Sequence, residues 1–452
     1  MIKKKYYFVI GLAIFYLFSF FSSSKVIYFT SYFVTTFFFY KATNNMQKSL
    51  LYSLILSLFS DFGMLQSLFM LEPQTANLGP GYVITPMIVF TLCLLLFSIR
   101  KKITIKRPDW FILLFYAFSL ISFFIFPYQN VFLGIISLGE VILLYFILRI
   151  QLDKNDDNNI SKILISLIIF QVILSGVQFL LQRPVGQIVE TITIGRPYGI
   201  TTPENTDLFR VSGTYSHPNF LASFILQTYS FLLFYPSTNI LLIVFKILSL
   251  IVLVFTYSRA AWIIFIFICI LLLITKQIKI KIPKIARRFY YLIPVIIAVI
   301  IISLIPYLNT RFNSFPLAFE EFGSMGVRLK TYSEAFSLMS QYPLTGVGLY
   351  RSIEEYANNP VTDLFEKVTV GRFYGIHNTF LEIASEIGIP GLFFFILFLF
   401  FVFKNYFDNK KTYFKNAAFF GLLGLLGISM FNPFFHSSQF RLFFLLSAII
   451  LA

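Results

Sequence analysis

The chain has 452 residues, of which 58% are hydrophobic and only 12% are charged, and its mean hydropathy is +0.80. Soluble domains carry about 25% charged residues, so the composition excludes an ordinary soluble protein. The formal net charge of +16 comes largely from Lys and Arg in short loops between apolar runs, a pattern that indicates membrane topology rather than nucleic-acid binding. The sequence therefore predicts an all-α polytopic membrane protein.

Apolar runs long enough to cross a bilayer core of about 30 Å recur along the chain. We predict about twelve to fourteen spans, because the second and the last run are short for a full crossing. Residues 3–5 are all Lys and precede the first run without a clear cleavage site, so we expect that run to be retained as a helix. In chain order, the predicted spans are 6–21, 26–40, 50–70, 82–99, 110–126, 131–150, 160–181, 218–235, 239–256, 260–275, 289–306, 391–403, 416–431 and 441–452.

The orientation follows from the basic segments, because Lys and Arg near helix ends are retained in the cytoplasm. A cytoplasmic N-terminus places four basic segments on the inner face: 3–5, 100–107, 276–288 and 404–415. Two longer segments, 182–217 and 307–376, then lie outside, and loops of that length are often functional. We therefore predict a multi-pass membrane protein with a cytoplasmic N-terminus, with N-terminal helices in 1–181 and the functional region in 182–452.

A first short amphipathic helix is predicted over 327–341, within the second outer segment. Its apolar residues share one helical face that could lie on the membrane surface: Tyr332, Ala335, Phe336 and Met339. Pro343 ends this helix, and Gly346 and Gly348 predict a tight turn after it.

A second short helix is predicted over 377–387. Its apolar residues form a stripe: Phe380, Leu381, Ala384 and Ile387. We expect Glu382, Ser385 and Glu386 to face away from that stripe. Gly388 and Pro390 break the helix before the next span.

The cysteines and short motifs indicate no cofactor or metal. Cys93 and Cys269 both fall inside apolar runs, where we expect small buried hydrophobes rather than a disulfide or a metal ligand. No Walker loop and no His/Cys metal spacing occurs in the sequence. ATP-driven or metal-dependent chemistry therefore has no support.

Histidine and arginine residues on the predicted outer face are the candidates for chemistry. His377 begins the second short helix, where exposed N–H groups and the helix dipole favour a neutral imidazole, the form that a general base requires. Arg328 begins the first short helix, where its guanidinium adds to N–H groups that suit an anion, and Arg259 lies at a predicted outer hairpin. Each also has an ordinary interpretation, as a solvated histidine or as an arginine that anchors a helix at the interface.

One motif in this region resembles that of a known family. His377-Asn378 is followed by nine residues, Gly388, two residues and Gly391, and this spacing resembles the outer-loop motif of the O-antigen ligase and O-antigen polymerase family. The similarity extends over about 210–391. Three further parts resemble the pattern of the same family: 213–222, 257–260, and Arg328 with the following Pro343, Gly346 and Gly348.

The resemblance implies a GT-C-like, all-helical glycosyltransferase of the bacterial inner membrane that acts at the outer face on an undecaprenyl-pyrophosphate-linked oligosaccharide. It implies neither a sugar nucleotide nor a metal. The acceptor would be another glycan or a lipid A core, and the product a surface polysaccharide such as capsule or lipopolysaccharide O-antigen. The expected partners are these glycans and membrane lipids, not nucleic acid.

The family's functional residues fall on named positions of this sequence. The catalytic set that the resemblance implies is His377, Arg328 and Arg259. The substrate-binding set is Arg210, His217, Asn219 and Asn378. Many relatives carry a different polar residue in place of His217. The third histidine, His436, lies in the segment 432–439, which matches no motif. We therefore expect His436→Ala to have a near-neutral effect on activity.

Several alternatives stay open at the level of sequence. Polymerase and ligase differ only in the acceptor, which nothing in the sequence identifies. A lipid-linked oligosaccharide transporter, or flippase, would be expected to show repeat-like halves and helices broken near the membrane midplane, whereas the polar candidates here concentrate in two outer segments. Asp61, Glu140 and Lys246 fall in apolar runs, where ionisable groups often mark a proton or ion path. Alternatively, Asp61 marks a helix end, and Glu140 and Lys246 reach an interface.

We predict that the loop 276–288 is cytoplasmic and that the segment 307–376 is external, because basic residues crowd the former and acidic residues help to balance the latter. Single cysteines introduced into each should be distinguished by an impermeant thiol reagent applied to intact cells. Labelling is expected in 307–376 alone. Labelling of 276–288 without 307–376 would reverse the orientation.

Overall fold

The structure, a computed structural model, describes residues 4–21, 25–59, 84–99, 101, 104–153, 156–183, 185, 209–215, 217–237, 239–277, 305, 309, 313, 315–319, 324–358 and 375–452. Three predicted features lie outside these residues, namely Asp61, nearly all of the span 289–306 and most of the loop 276–288. The two predicted outer segments are described in part.

Within the described residues the regular structure is helical, as the sequence predicts. It consists of fifteen α-helices and one 3-10 turn, Pro316–Phe319. The helices are α1 (Lys4–Phe21), α2 (Lys25–Thr43), α3 (Met46–Phe59), α4 (Pro86–Ser98), α5 (Arg107–Ile125), α6 (Gln129–Gln151), α7 (Asp157–Leu181), α8 (Pro218–Phe234), α9 (Ile240–Phe255), α10 (Arg259–Ile274), α11 (Gly326–Gln341), α12 (Ser352–Asn358), α13 (Thr379–Asp408), α14 (Tyr413–Ser429) and α15 (Ser438–Leu451).

Several of these helices suit a membrane. Among the described helices, four are long and apolar enough to cross it, namely α5, α6, α7 and α13. Shorter apolar helices accompany them: part of α1, and α4, α8, α9, α10, α14 and α15. Large apolar side chains such as Leu96, Ile263 and Leu273 are mostly exposed, as lipid-facing residues are. The described part of the chain is therefore all-helical, and its apolar helices are those of a multi-pass membrane protein.

The helices pack through aromatic rings and through small residues. α13 lies along α5, where the rings of Phe111 and Phe401 stack with their centroids 5.0 Å apart. α14 lies along α8, and a β-carbon at Gly421 would come within 2.7 Å of the Gln227 carbonyl oxygen. Small residues allow such close approach in a membrane, where lipid already solvates apolar surface. Because α8 and α14 are antiparallel, the N-terminus of α8 lies beside the C-terminus of α14.

The two ends of the bundle differ in their charged side chains. At one end, Lys106 and Arg149 both donate to the carbonyl oxygen of Leu451, at 2.8 and 3.0 Å. α14 begins at that end, beside Lys106, and extends about 25 Å, at 1.5 Å per residue, to the turn 430–436. Described parts of the basic segments 100–107 and 404–415 thus lie at the end opposite that turn.

The predicted break at Gly388 is present. Gly388 has φ 85° and ψ 170°, a backbone conformation that residues with a side chain rarely adopt. The break interrupts the helical hydrogen bonds of α13. The backbone N–H groups of Val347 and Gly348 instead donate to the carbonyl oxygens of Ser385 and Glu386, at 2.9 and 3.0 Å. This contact docks the predicted glycine turn against the first part of α13.

The face that α11 buries differs from the predicted one. Ala335 is buried, but Phe336, predicted on the same apolar face, is 57% exposed. The buried side also includes Thr331 and Leu338, because α11 packs against α13. Packing against the protein, rather than the apolar stripe alone, therefore sets the orientation of this helix.

Two of the three ionisable residues predicted within apolar runs, Glu140 and Lys246, belong to the described part of the chain, and both lie in helices. The Nζ atom of Lys246, in α9, contacts the Leu233 carbonyl oxygen near the end of α8 at 3.4 Å. Glu140 lies within α6 and is partly buried. Lys246 thus contacts the end of a neighbouring helix, and its predicted place in an ion path or at an interface stays a prediction.

We predict that Gly388→Ala destabilises the protein by about 2 kcal/mol or more, because alanine is strained at positive φ and its β-carbon would collide with the Leu344 carbonyl. Thermal unfolding in detergent measures the effect. The control is Gly176→Ala in α7, where an added β-carbon meets no atom within 4 Å. Equal melting temperatures for the two variants would contradict a role for the break.

Candidate functional site

A cavity of about 540 Å³ lies at the end of the bundle opposite the Lys106 and Arg149 side chains. The N-terminal ends of α8, α10 and α11 border it, together with the residue before the N-cap of α13. Six residues that the sequence analysis assigns to catalysis or substrate binding line it: Arg210, His217, Asn219, Arg259, Arg328 and His377. Candidates far apart in the chain therefore meet in one place.

Hydrogen bonds to the protein hold Arg210. Its Nε donates to the carbonyl oxygen of Thr256 at 2.9 Å, and its Nη2 donates to Oδ1 of Asn219 at 3.2 Å. The Nδ2 of Asn219 in turn donates to Oδ1 of Asn432 at 3.0 Å. Arg210 thereby joins the hairpin between α9 and α10 to the start of α8.

Arg259 is the first residue of α10 and follows an unusual backbone turn. Tyr257 has a φ of 51°, in the left-handed region that bulky residues seldom adopt, and Ser258 is the N-cap. The Arg259 Cζ lies 5.3 Å from the centre of the Phe315 ring, within the range of a cation–π contact. Because Ser258, Arg259 and Ala260 all line the cavity, the positive end of the α10 dipole adds to the guanidinium charge.

Arg328 lies in the first turn of α11, as predicted. Its Nε donates to the carbonyl oxygen of Phe431 at 3.1 Å, and its Nη1 donates to the carbonyl oxygen of Ser324. Among the described residues, these bonds leave hydrogens on Nη1 and Nη2 for an anion. Burial lowers the pKa of Arg328, while the Tyr332 hydroxyl acts in the opposite direction.

His377 lies immediately before Asn378, the N-cap of α13. Its Nδ1 is 2.8 Å from the carbonyl oxygen of Gly375, which can only accept, so Nδ1 carries the hydrogen and Nε2 of the neutral ring has the lone pair. Burial and then the positive charge of Arg328 lower the pKa of His377 to about 4, although the bond to Gly375 acts in the opposite direction. The imidazole is therefore neutral, as expected, but burial is the main cause.

Asn378 has a structural contact of its own. Its Oδ1 accepts hydrogen bonds from the backbone N–H groups of Phe380 and Leu381, at 2.9 and 3.2 Å. Such an N-cap satisfies N–H groups that have no partner within the helix. Asn378 thus fixes the start of the helix that follows His377, and its role in substrate binding stays a prediction.

His217 has the opposite tautomer to His377. It is the N-cap of α8, and its Nδ1 accepts from the backbone N–H of Asn219 at 3.0 Å, so the neutral ring carries its hydrogen on Nε2. Burial lowers the pKa of His217 well below its usual value, and the charges of Arg210, His377 and Arg328 act in the same direction. His217 is therefore set to donate through Nε2, whereas Nε2 of His377 is set to accept.

The described lining combines positive charge with apolar surface. Three arginines border the cavity, and none of its described lining residues is Asp or Glu. Nowhere in the described part of the chain are three or more His, Cys, Asp or Glu side chains arranged to hold a metal ion. The larger apolar residues of the lining are Ile263, Phe315, Phe319, Met325, Val327 and Phe431. Such a surface suits an anion that carries an apolar chain.

His436 makes contacts outside the cavity that the sequence did not indicate. Its Nε2 lies 2.6 Å from Oε2 of Glu386, and its ring stacks on Tyr350 with centroids 3.7 Å apart. Glu382 and Glu386 are both buried. The Phe435 N–H donates to the Glu382 carboxylate and the Tyr350 N–H donates to the Glu386 carboxylate, and these bonds offset the cost of burial.

One sequence expectation for this region does not hold, namely the one for Glu382 and Glu386, whereas the near-neutral effect of His436→Ala on activity stays a prediction. Loss of the His436 imidazole would remove a partner of the buried Glu386 carboxylate, so His436→Ala should destabilise the protein. Glu382 and Glu386 face protein rather than turning away from it. The sequence did contain a signal of this burial. Glu382 and Glu386 lie one helical turn apart, and ionisable groups in apolar helices usually have protein partners.

Fold and site together define a class, an all-helical membrane protein with a cationic cavity at one end of its bundle. Residues 244–396 match the family model described as O-antigen ligase. The match confirms the resemblance seen in the sequence for this region. It includes Arg259, Arg328 and His377, whereas Arg210 and His217 precede it. No curated protein matches the chain.

The family indicates a membrane protein that transfers glycans. The family implies substrates of two kinds, a lipid-linked oligosaccharide and an acceptor. The cavity overlaps the matched region and extends beyond it on the N-terminal side, through Arg210, His217 and Asn219.

We predict that His377 stays neutral down to about pH 5 and titrates near pH 4, because its pKa is lowered to about 4. Arg328→Gln removes a positive charge that disfavours the imidazolium, so the pKa of His377 should rise. NMR titration of labelled histidine measures both values. Lys404→Gln, which removes a positive charge from an exposed position near the other end of α13, should leave the pKa unchanged. An ordinary pKa of about 6.5 in the unmodified protein would contradict the buried, charged environment.

Proposed function

We propose that this protein transfers a glycan from an undecaprenyl-pyrophosphate-linked oligosaccharide to a sugar hydroxyl at the outer face of the bacterial inner membrane. It acts as a surface polysaccharide polymerase or as an O-antigen ligase, with another glycan or a lipid A core as acceptor. One observation carries the proposal. Three arginines and a histidine in the base tautomer border the same cavity, within and beside the O-antigen ligase match.

In this proposal, Arg259 and Arg328 bind the pyrophosphate of the donor, with Arg210 beside them. Guanidinium groups match phosphate oxygens through paired N–H donors. When the bond from the anomeric carbon to the phosphate oxygen breaks, that oxygen gains negative charge. Cationic groups already in place stabilise this charge without reorganisation, so they lower the barrier to transfer.

His377 is the general base of the proposed reaction. Its Nε2 lone pair accepts the proton of the acceptor hydroxyl, the oxygen attacks the anomeric carbon, and undecaprenyl pyrophosphate leaves with the bonding electron pair, with inversion. The negative charge of a bound pyrophosphate would offset the positive charge of Arg328. The pKa of His377 would then rise towards the working pH, where a base is most effective. His217, through Nε2–H, is suited to donate to an oxygen of the donor.

The ends of the bundle support the outer-face assignment. The cavity lies opposite Lys106 and Arg149, and Lys and Arg near helix ends favour the cytoplasmic side. An orientation that keeps these basic residues inside therefore opens the cavity outward. The donor reaches this side after it has been transported, with its glycan exposed to the acceptor.

The apolar lining suits the polyprenyl chain of the donor. Ile263 borders the cavity, and it belongs to a mostly exposed apolar face of α10 that also includes Ile266, Phe267 and Ile270. A face of this kind contacts lipid. The donor's tail would extend along it while the pyrophosphate is held among the arginines.

A transfer assay with the purified protein tests the proposal. Undecaprenyl-pyrophosphate-linked oligosaccharide and an acceptor glycan should yield a new glycosidic bond without ATP, sugar nucleotide or added divalent metal. The alternative is a flippase of lipid-linked oligosaccharide. Movement of the donor across liposomes with no new glycosidic bond would support that alternative and refute the transferase.

We predict that Arg328→Lys retains the charge but loses about 10- to 100-fold in kcat/KM, because an ammonium cannot reproduce the two parallel hydrogen bonds of a guanidinium. The matched control is Arg351→Lys, the same change at a buried arginine outside the cavity, which pairs with Glu355 and lies 4.0 Å from the Tyr128 ring centre. Comparable activity of the two variants per folded protein would argue against a phosphate clamp at Arg328.

A further inference from the structure

The turn 430–436, between α14 and α15, contacts three parts of the chain that carry site residues. The carbonyl oxygen of Phe431 accepts from Nε of Arg328 at 3.1 Å. The Asn432 side chain accepts from Asn219 at the start of α8. The Asn432 backbone carbonyl accepts from Thr379, the first residue of α13. This turn lies outside the matched family region, which ends at residue 396.

The Asn432 carboxamide connects the turn to Arg210 through a directional series of hydrogen bonds. Arg210 donates to Asn219 at 3.2 Å, Asn219 donates to Asn432 at 3.0 Å, and Asn432 donates through Nδ2 to the Ile428 carbonyl at 3.0 Å. Asn432 is only 4% exposed. Without the Asn432 side chain, the Asn219 amide would lose its acceptor, and a buried polar group without a partner costs desolvation free energy. The orientation of Asn219 therefore depends on Asn432.

The same turn also holds the segment that carries His377. The Thr379 hydroxyl donates to the Asn432 carbonyl at 2.8 Å and accepts from the Phe434 N–H at 2.9 Å. The Tyr332 hydroxyl lies 2.9 Å from the Met430 carbonyl oxygen and 3.2 Å from that of His377. Movement of the turn would therefore displace both the start of α13 and the backbone at His377.

We infer that Asn432 is a positioning residue for glycan transfer, which orients Arg210 through Asn219 and fixes the turn that holds Arg328 and the segment of His377. The inference rests on the proposed function for its kinetic readout. Asn432 does not line the cavity, so it acts through these side chains rather than by touching substrate. Misplacement of reacting groups by about 1 Å can cost up to about 100-fold in rate.

A second amide pair provides a matched control. The Nε2 of Gln227 donates to Oε1 of Gln439 at 2.8 Å, and Gln439 is 1% exposed. This bond, like the one between Asn219 and Asn432, joins α8 to the C-terminal part of the chain. Gln439 is not among the residues that line the cavity. Asn432→Ala and Gln439→Ala thus remove similar buried hydrogen bonds, one connected to the site and one not.

Kinetics and thermal unfolding of the purified full-length chain separate positioning from folding. Both alanine variants should lower the melting temperature by similar amounts. Asn432→Ala alone should lower kcat, by about 10- to 100-fold, with a smaller change in KM. The double variant Asn219→Ala/Asn432→Ala should be no slower than the slower single variant, because both belong to one series of hydrogen bonds. Equal kcat for Asn432→Ala and Gln439→Ala, or multiplied losses in the double variant, would overturn the inference.

Binding of inorganic pyrophosphate, measured by calorimetry, distinguishes failure of this inference from failure of the proposed function. If the unmodified chain binds pyrophosphate but transfers no glycan, the proposed function fails. Weaker binding by Asn432→Ala than by Gln439→Ala would then still support positioning of the arginines. In a chain that transfers no glycan, equal binding by Asn432→Ala and Gln439→Ala, or no binding by the unmodified chain, would refute it.

Discussion

The hydrogen bonds that hold the partly buried Arg328 guanidinium are the interaction on which the site depends. A charged group in a poorly solvated place is costly unless protein groups bind it, and here the carbonyl oxygens of Phe431 and Ser324 do so. The same charge adds to burial, the larger effect, in lowering the pKa of the nearby His377 imidazole. Arg328 therefore contributes to two features of the site, a place for an anion and a neutral imidazole at His377.

Positive charge serves different purposes at the two ends of this protein. At one end, Lys106 and Arg149 bind the C-terminal end of α15 and lie where the cytoplasm is expected. At the other end, three arginines line a cavity whose described residues include no acid. An anion that enters would replace repulsion among these arginines with attraction, and the low dielectric of the surroundings would strengthen that effect. The overall net charge alone could not separate these two roles.

The tautomers of the two histidines in the cavity assign them different chemistry. A backbone carbonyl at Nδ1 makes His377 an acceptor at Nε2, and a backbone N–H at Nδ1 makes His217 a donor there. Both rings owe their neutral state mainly to burial. The local backbone before each helix thus decides which histidine can accept a proton.

Residues within local motifs could be predicted from the sequence, and residues that depend on distant contacts could not. Helix periodicity, Pro343 and Gly388 were sufficient to place the ends of α11 and the break in α13, because these are local steric effects. The positions of Arg259, Arg328 and His377 came from separate short motifs, each of which lies in one stretch of the chain. The role of the turn 430–436 was not visible, since Asn432 meets Asn219 across 213 positions and the other contacts use backbone carbonyl groups. The buried state of Glu386 was missed for the same reason, because its partner His436 lies 50 positions away.

The central claim is that the cationic cavity holds the pyrophosphate of a lipid-linked donor beside His377. A cryo-electron microscopy structure of the full chain with undecaprenyl pyrophosphate tests it most directly. The result we expect is pyrophosphate density within hydrogen-bond distance of the Arg259 and Arg328 guanidinium groups, with Nε2 of His377 facing the position of the departing glycan. Pyrophosphate bound at the Lys106 and Arg149 end, or outside the cavity, would contradict it.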